Sequence, residues 1–364
     1  MGFAPFDRRT VLALAITALI PFFALTHTLV ARYRVSRQQL AAQWSARGQR
    51  DVPRAPAVAV VDFETALSFG PERSADRLRL AEALIQAGEP VEARAQLLTL
   101  WTEQPGNGRI NLELARLAAG DGDVRQAVRY YHAAVDGSWD TGAATARREA
   151  RLEAAKLLLA HGEHFSAQSE LIALIDDLPS DSGFITQVAG LLMDAGATTR
   201  AKALLDRALS LDRHNRTAAR LAGTLAFRDQ DYRAAREHLR AADSADADAQ
   251  EMLMESDAVL ALDPYLRGLR SAERARRALA ALDVSRNRLH RCQTGDGVPD
   301  DLVDRVTAAR KKSERTLARD AEALDDVMTL VFDIEKLQDP ACGADSPQDR
   351  ALRLIAGQRN GRPQ

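Results

Sequence analysis

A pair of histidines has the spacing of metal ligands. His161 and His164 lie three residues apart at the predicted end of a helix, where two imidazoles could share one zinc ion. The alternative is a surface turn, because the pair brackets Gly162 at the junction of two predicted helices. We favour the turn, and we expect no metal site and no cofactor.

A cluster of carboxylates resembles part of a calcium loop. Asp243, Asp246, Asp248 and Glu251 are closely spaced, but the segment lacks the central glycine of such a loop. An acidic connection in which a carboxylate caps the next helix accounts for the same residues. We predict the capping role.

Motifs that carry enzyme chemistry are missing from the sequence. There is no glycine-rich phosphate loop, His-Glu-x-x-His, Cys-x-x-Cys or Gly-x-Ser-x-Gly pattern. The 49 basic and 51 acidic residues leave a net charge of -2, which gives no electrostatic attraction to nucleic acid. We therefore predict a binding protein with no small-molecule substrate and no nucleic-acid partner, rather than an enzyme.

The amino terminus contains a long apolar run. Between Arg9 and Arg32 the only ionisable side chain is His27, and about twenty apolar residues at 1.5 Å per residue span roughly the 30 Å of a bilayer core. A cleaved signal peptide is the alternative, but its apolar core is usually only about 7 to 15 residues long. We predict a short head at residues 1–9 and an uncleaved transmembrane helix at residues 10–31 that contacts the lipid bilayer.

The cues to the side of the membrane disagree. Basic residues lie both before the run, at Arg8 and Arg9, and after it, at Arg32, Arg34 and Arg37. Likeness to an N-terminal signal anchor favours a single-pass protein of the inner (cytoplasmic) membrane with a periplasmic body. No linker is expected before Trp44, because a continuous helix can follow the span.

An alanine returns at a fixed interval through residues 32–247, and all steps but one are 34 residues, the period of a helix-turn-helix solenoid. A bulky apolar residue follows each alanine by four positions, and a glycine precedes the middle four by five. The alanines are Ala59, Ala93, Ala127, Ala167, Ala201 and Ala235. The glycines are Gly88, Gly122, Gly162 and Gly196.

This pattern resembles the tetratricopeptide repeat (TPR), with small residues where two helices cross and prolines such as Pro105 and Pro179 in the exit turns. The anchor followed by these repeats is also similar to bacterial membrane-anchored TPR proteins of unassigned function. The resemblance implies an all-α fold, an α-α superhelix (TPR solenoid) of about six repeats over residues 32–247. A 40-residue step places an insertion at residues 137–147, with Trp139 where proline is expected.

The resemblance also implies that a concave groove, lined by the first helix of each repeat, binds protein partners. Arg109, Arg116 and Lys156 fall on consecutive repeats and could hold an acidic ligand, whereas a solvated charged face is the alternative. The groove candidates are Leu78, Glu82, Gln86, Arg109, Leu112, Arg116, Lys156, Arg220, Phe227 and Arg228.

The segment 248–364 is predicted to be a C-terminal helical domain. One helix should run from Glu251 to Leu262. Asp263 should cap a second helix that starts at Pro264 and runs to about His290, and a long helix should run from Pro299 to Leu337. Its apolar seam suits either a cap on the last repeat or a dimerisation coil. Cys292 and Cys342 could form a disulfide in an oxidising envelope, provided that the chain folds back near residues 310–314; two free thiols are the alternative.

The sequence thus predicts a membrane-anchored TPR scaffold that mediates protein-protein interactions at the bacterial inner membrane. An alternative of the same class is an assembly factor for an envelope complex, of the secretion, pilus or cytochrome maturation type. The sequence does not separate the two.

Overall fold

The computed structural model describes residues 8–70, 73–292, 300–336 and 346–360. Within these ranges every regular element is a helix, and a single β-bridge joins Asn107 to Ser138. The helices are α1 (Arg8–Asp51), α2 (Pro56–Phe69), α3 (Ser74–Ala87), α4 (Pro90–Glu103), α5 (Gly108–Gly120), α6 (Val124–Asp136), α7 (Ala143–Ala160), α8 (His164–Ile175), α9 (Ser182–Asp194), α10 (Thr198–Leu211), α11 (Arg216–Arg228), α12 (Tyr232–Leu239), α13 (Ala247–Leu262), α14 (Ser271–Cys292), α15 (Asp300–Arg310), α16 (Glu314–Arg319), α17 (Ala321–Glu335) and α18 (Pro347–Asn360).

The chain forms two compact units, Met1–Asp177 and Leu178–Gln364. In the first unit each helix from α1 to α8 packs on the next one along the chain. In the second unit the same consecutive packing runs from α9 to α14. Pairing of sequential neighbours is what a helical repeat requires, because each pair buries its apolar face only against the pairs beside it.

The periodic alanines lie at the helix crossings. All six are fully buried, as expected where a larger side chain would force the helices apart. The residues four positions later fill the remaining space and expose at most 3% of their surface. They are Phe63, Leu97, Tyr131, Leu171, Leu205 and Leu239. The predicted role of both positions is confirmed.

Left-handed turns separate the two helices of every pair from α3–α4 to α11–α12. Gly88, Gly122, Gly162 and Gly196 have φ angles between 75° and 82°, the region that glycine enters without steric cost. In the last pair Gln230 occupies the same position with φ 62°, the only non-glycine residue of the described ranges with a positive φ. The 34-residue pattern therefore identified a backbone conformation as well as a packing position.

The predicted anchor at residues 10–31 lies in α1, a 44-residue helix with Pro21 inside it. Within the described part of the chain, no helix combines the length and the apolar character needed to cross a bilayer. The helix continues without a break into the first repeat, as predicted from the missing linker. The side chains of residues 10–16, 18 and 20 lie outside the described residues, and so do residues 1–7 of the head predicted at residues 1–9.

The C-terminal helices depart from the sequence prediction at two places. No helix starts at Pro264; α14 begins at Ser271, because the Asp263 carboxylate accepts a hydrogen bond from the Tyr265 amide and holds a turn. The long helix expected up to Leu337 is three helices, since Ser313 caps α16 and Asp320 caps α17. Each cap accepts a hydrogen bond from the amide three residues later, and so starts a new helix.

The apolar seam of this region is buried within the chain. Leu324, Met328 and Val331 of α17 expose at most 8% of their surface in a core that also holds α14 and α18, although Ala321 is exposed. Tyr232 of the last repeat belongs to the same core, and Phe227 packs against it. These contacts favour the cap over a dimerisation coil, because the seam already has partners inside the second unit.

Candidate functional site

The first helices of consecutive pairs in the first unit are joined by an ion pair. Arg109 on α5 meets Glu82 on α3 through two contacts, Nε to Oε1 at 2.6 Å and Nη2 to Oε2 at 2.7 Å. The Arg109 side chain is 55% exposed. Two predicted groove residues thus bind each other, and this guanidinium already has a carboxylate partner.

A second and less exposed ion pair joins α5 to α7. Arg116 donates to both carboxylate oxygens of Glu153, at 3.0 and 2.7 Å, and to Glu113 at 2.8 Å. The Tyr131 hydroxyl donates to Glu153 at 3.1 Å. Burial raises the pKa of Tyr131, and the nearby Glu153 carboxylate adds to that rise, so the phenol stays a donor. Burial also raises the pKa of Glu113, against the effect of Arg116.

These ion pairs argue against the predicted binding site for an acidic ligand. Arg109 and Arg116 neutralise carboxylates of neighbouring helices, whereas Lys156 is exposed. Gln86 is exposed too, and Leu78 is partly exposed. Leu112 is only 4% exposed, and it shares an apolar cluster with α7 alanines, so it is closed to a partner. Two of the three predicted cations on this face thus hold neighbouring helices together.

In the second unit a cleft of about 600 Å³ lies between α9 and α11, the first helices of two pairs. Two predicted residues, Arg220 and Arg228, line it on α11, and Arg220 pairs with Asp246 at 3.4 Å. The side of α9 that faces α11 has little side-chain bulk, because it carries Gly183 and Gly190. The other lining residues are Thr186, Gln187, Met193, Asp194, Asn215, Thr217, Leu221 and Thr224.

Most of these cleft residues were missed by sequence reasoning, although a signal was present. Gly190 and Thr224 each precede the periodic alanine of their repeat by eleven residues, so a fixed offset would have found both. Phe227 has a different role from the one predicted. Its ring meets that of Tyr232 edge-on at 5.5 Å and packs on the C-terminal core, away from a partner.

The histidine pair and the acidic cluster, which the sequence offered as possible metal sites, lie at helix ends. His161 ends α7 and its ring nitrogen contacts the Leu157 carbonyl at 2.9 Å, while His164 begins α8. Asp246 caps α13 by accepting from the Ala249 amide at 3.0 Å. Among the described residues, no group of three or more His, Cys, Asp or Glu side chains is placed to hold a metal ion.

The predicted disulfide falls at the edge of the described chain. Cys292 is the last residue of α14, and Cys342 lies outside the described residues. The helical stretch is interrupted between α15 and α16, near residues 310–314, where the disulfide would need the chain to fold back. The disulfide itself stays a prediction.

The repeating unit has a defining set of features. Two helices are joined by a left-handed turn, an alanine is buried at their crossing, and a bulky apolar residue follows four positions later, with a 34-residue period. This is the architecture of a tetratricopeptide-repeat (TPR) fold. The helix pairs are α1–α2, whose turn is not left-handed, α3–α4, α5–α6 and α7–α8 in the first unit, and α9–α10 and α11–α12 in the second.

Comparison with known proteins adds little to this assignment. No family model matches the chain, and no curated protein matches it. Among solved structures, the C-terminal part of a TPR protein from Cytophaga hutchinsonii is 13% identical, with TM-score 0.46, over 81% of this chain and 97% of that one. PilF of Pseudomonas aeruginosa is 16% identical, with TM-score 0.44, over 56% and 91%.

A third solved structure is PilW, described as a type IV pilus biogenesis factor. It is 20% identical, with TM-score 0.40, over 57% of this chain and 90% of that one. Since every identity is below 25% and every TM-score below 0.5, the TPR assignment rests on the geometry of this chain.

Proposed function

We propose that the protein is a TPR scaffold that binds a segment of another protein in the cleft between α9 and α11. The observation that carries this proposal is the composition of the cleft. Glycines leave space along α9, and Met193 and Leu221 give the cleft apolar surface. Its charged groups are Arg220, Arg228 and Asp194. Such a mixture suits a peptide, whose backbone and side chains need both polar and apolar partners.

A catalytic role has no comparable support. The ionisable groups of the cleft are two arginines and one aspartate. Enzyme sites usually combine a nucleophile or base with groups that perturb its pKa. The cleft has polar and apolar walls but no such arrangement, and binding is therefore the function proposed for it.

We further propose that the scaffold is anchored in the inner membrane by residues 10–31. Support comes from the apolar run and from the side chains of its second half. Leu19, Phe22, Phe23 and Leu25 are all more than half exposed, and Phe23 is 72% exposed. Apolar surface of this kind is unfavourable in water by about 25 cal/mol per Å², and a bilayer would cover it.

The binding proposal is tested by photo-cross-linking in cells. A photoreactive amino acid is placed at Gln187, an exposed residue of the cleft, and the control has it at Asp206, an exposed residue of α10 that does not line the cleft. We expect discrete protein adducts from Gln187 and few from Asp206. Equal adducts from both positions, or none from Gln187, would contradict the proposal. The identity of the adduct then tells a general scaffold from an assembly factor.

Anchoring and orientation need a separate experiment. Carbonate extraction should leave the full chain in the membrane pellet, and release into the supernatant would reject the anchor. Labelling of Cys292 and Cys342 in spheroplasts with an impermeant maleimide tests the periplasmic body. Labelling without permeabilisation, with or without prior reduction, supports it. Labelling only after permeabilisation would place the body in the cytoplasm.

A further inference from the structure

The apolar run of α1 is followed at once by a basic segment. Between Arg32 and Arg50 the chain has five arginines and no acidic residue, and the next carboxylate is that of Asp51. The helix is continuous over this segment, so each residue adds about 1.5 Å along one axis. The first arginines after the run therefore have no acidic neighbour on their own helix.

Two of the first three arginines have no partner among the described residues. Arg32 and Arg34 are exposed, and neither side chain forms an ion pair or a hydrogen bond with a described residue. Arg37 is already in use. Its Nη2 donates to the Ser68 carbonyl at 2.6 Å, and its guanidinium lies 5.8 Å from the centroid of the Tyr33 ring. Arg37 thus joins α1 to the end of α2, whereas the other two arginines lie beyond that contact.

The neighbouring helix supplies no carboxylate at this level. Arg37 of α1 contacts Ser68 of α2, and Arg47 pairs with Asp62 at 3.4 Å, so α2 runs antiparallel to α1. The last acidic residue of α2 is Glu64, which lies four residues before Ser68 and is farther from the apolar run. Within the described residues of these two helices, therefore, no acidic side chain lies beside the two exposed arginines.

The proposed anchor places these arginines in the headgroup layer of the membrane. With residues 10–31 in the hydrocarbon core, Arg32 and Arg34 lie about 2 and 5 Å beyond it along the helix axis. The headgroup layer on each side of a bilayer is roughly 5 to 8 Å thick. Tyr33 lies between the two arginines and is 64% exposed, and tyrosine rings are enriched at this boundary of membranes. The segment therefore presents two guanidinium groups and one phenol at the depth of the lipid phosphates.

We propose that Arg32 and Arg34 bind the headgroups of anionic phospholipids. A guanidinium donates paired hydrogen bonds to a phosphate, and it is more weakly hydrated than an ammonium group, which suits this boundary. A zwitterionic headgroup carries its own cation beside the phosphate, whereas an anionic headgroup leaves a net negative charge for the arginines. The preference is therefore for lipids of net negative charge. This inference rests on the proposed anchor and adds the class of lipid that the chain binds.

The test compares two lipids around the full chain in vesicles of equal parts phosphatidylglycerol and phosphatidylcholine. A photoreactive amino acid replaces Ser36, an exposed residue about 8 Å beyond residue 31, and mass spectrometry distinguishes the two lipid adducts. One basic residue near an anionic membrane surface strengthens binding about fivefold. We therefore expect phosphatidylglycerol adducts to exceed phosphatidylcholine adducts at least about fivefold. Equal yields of the two adducts, or no lipid adduct, would overturn the proposal.

Charge-neutralised variants assign the preference to the two arginines. In the double variant Arg32→Gln, Arg34→Gln the two yields should become nearly equal. The matched control is Arg50→Gln, Arg54→Gln, because both residues are exposed. Arg50 lies about 28 Å from the run, well beyond the screening length of about 8 Å at physiological salt, so the control should keep the wild-type ratio. A preference that survives Arg32→Gln, Arg34→Gln, or that falls equally in the control, would reject the site.

Carbonate extraction separates failure of this site from failure of the anchor. A wild-type chain that stays in the pellet but shows no lipid preference would reject only the headgroup site. Release of the wild-type chain would reject both the site and the anchor. The Arg32→Gln, Arg34→Gln variant should stay in the pellet, because its residues 10–31 are unchanged.

Discussion

The guanidinium of Arg116 and the carboxylate of Glu153 face each other through two hydrogen bonds, Nε to Oε2 at 3.0 Å and Nη2 to Oε1 at 2.7 Å. This doubly hydrogen-bonded ion pair joins α5 to α7. The insertion at residues 137–147 lies between its two residues in the sequence. Paired geometry of this kind is stronger and more specific than a single contact. A residue that looked like a ligand-binding cation therefore holds two neighbouring repeats together.

The coupling between Arg116 and Glu153 should be measurable. Their side chains are only 37% and 25% exposed, so the pair should contribute about 1 to 2 kcal/mol to the free energy of unfolding, more than a typical surface pair. A double-mutant cycle with Arg116→Met and Glu153→Gln, followed by urea titration, gives the value. The matched cycle on the more exposed Arg109 and Glu82 should give less than about 1 kcal/mol. A larger coupling there would contradict the assignment.

The positive φ of Gln230 predicts a stabilising substitution. A side chain in the left-handed region costs about 1 to 2 kcal/mol, so Gln230→Gly should raise the free energy of unfolding by about 1 kcal/mol despite the flexibility of glycine. The converse change, Gly196→Ala at φ 80°, should lower it by about the same amount. Thermal melting of both variants measures the two shifts. A destabilised Gln230→Gly protein would show that this turn is not left-handed in solution.

The insertion lies in close contact with the loop before α5. An added methyl group should therefore destabilise the protein at Gly137 but not at Gly106. Gly137→Ala would bring a Cβ to 2.8 Å from backbone atoms, which cannot move aside as a side chain can, and should cost about 1 to 3 kcal/mol. Gly106→Ala, in the loop that pairs with the insertion, meets nothing within 4 Å and should be close to neutral. Urea titration of both variants decides the point. Equal effects would mean that the two loops are not in contact.

Stability should depend on pH through Glu335. This carboxyl is 1% exposed, and its burial raises its pKa from 4.5 to about 7. The nearby Asp349 carboxylate also raises the pKa, whereas Arg288 and Ser285 lower it. Between these values the folded group keeps its proton and the unfolded group loses it. The unfolded chain then binds fewer protons, and stability falls as pH rises from about 5 to 7.

The expected size of this effect is on the order of 3 kcal/mol, because one pKa unit corresponds to about 1.4 kcal/mol and the pKa rises from 4.5 to about 7. Glu335→Gln cannot ionise, so its free energy of unfolding should vary less over the same window. Ser285→Ala, which removes the 3.2 Å hydrogen bond to Glu335, should keep the slope. A slope that is unchanged in Glu335→Gln would assign the pH dependence to other groups.

Much of the repeat core could be predicted from the sequence because it depends on local spacing. The buried alanines and the left-handed glycines each follow from one position in a period, and Gln230 lies at the same position of that period, five residues before Ala235. The pairing of Ser138 with Gly106 and Gly108 was not predictable in this way. It depends on two loops about thirty residues apart in the chain, and neither loop contains a recognised motif.

The candidate groove was predicted less well for a related reason. A fixed offset from each alanine tells which side of the helix a residue occupies, but it does not tell what the next element covers. Leu112 is covered because α7 presents Ala150 and Ala154 to the same cluster, and Phe227 is covered by the C-terminal helices. The breaks at Ser313 and Asp320 are different, since both residues are common helix caps and the signal was available.

The central claim, that the α9–α11 cleft binds a protein partner, is tested most directly by filling the cleft. Gly190 lies on its wall, and a Cβ there would meet only the Leu221 side chain, at 3.6 Å, so Gly190→Ala should fold normally and keep the Gln187 cross-link. Gly190→Trp should fold as well but occupy the space of the partner. We expect the Gln187 adduct to persist in Gly190→Ala and to disappear in Gly190→Trp. An adduct of undiminished yield in a folded Gly190→Trp protein would contradict the account.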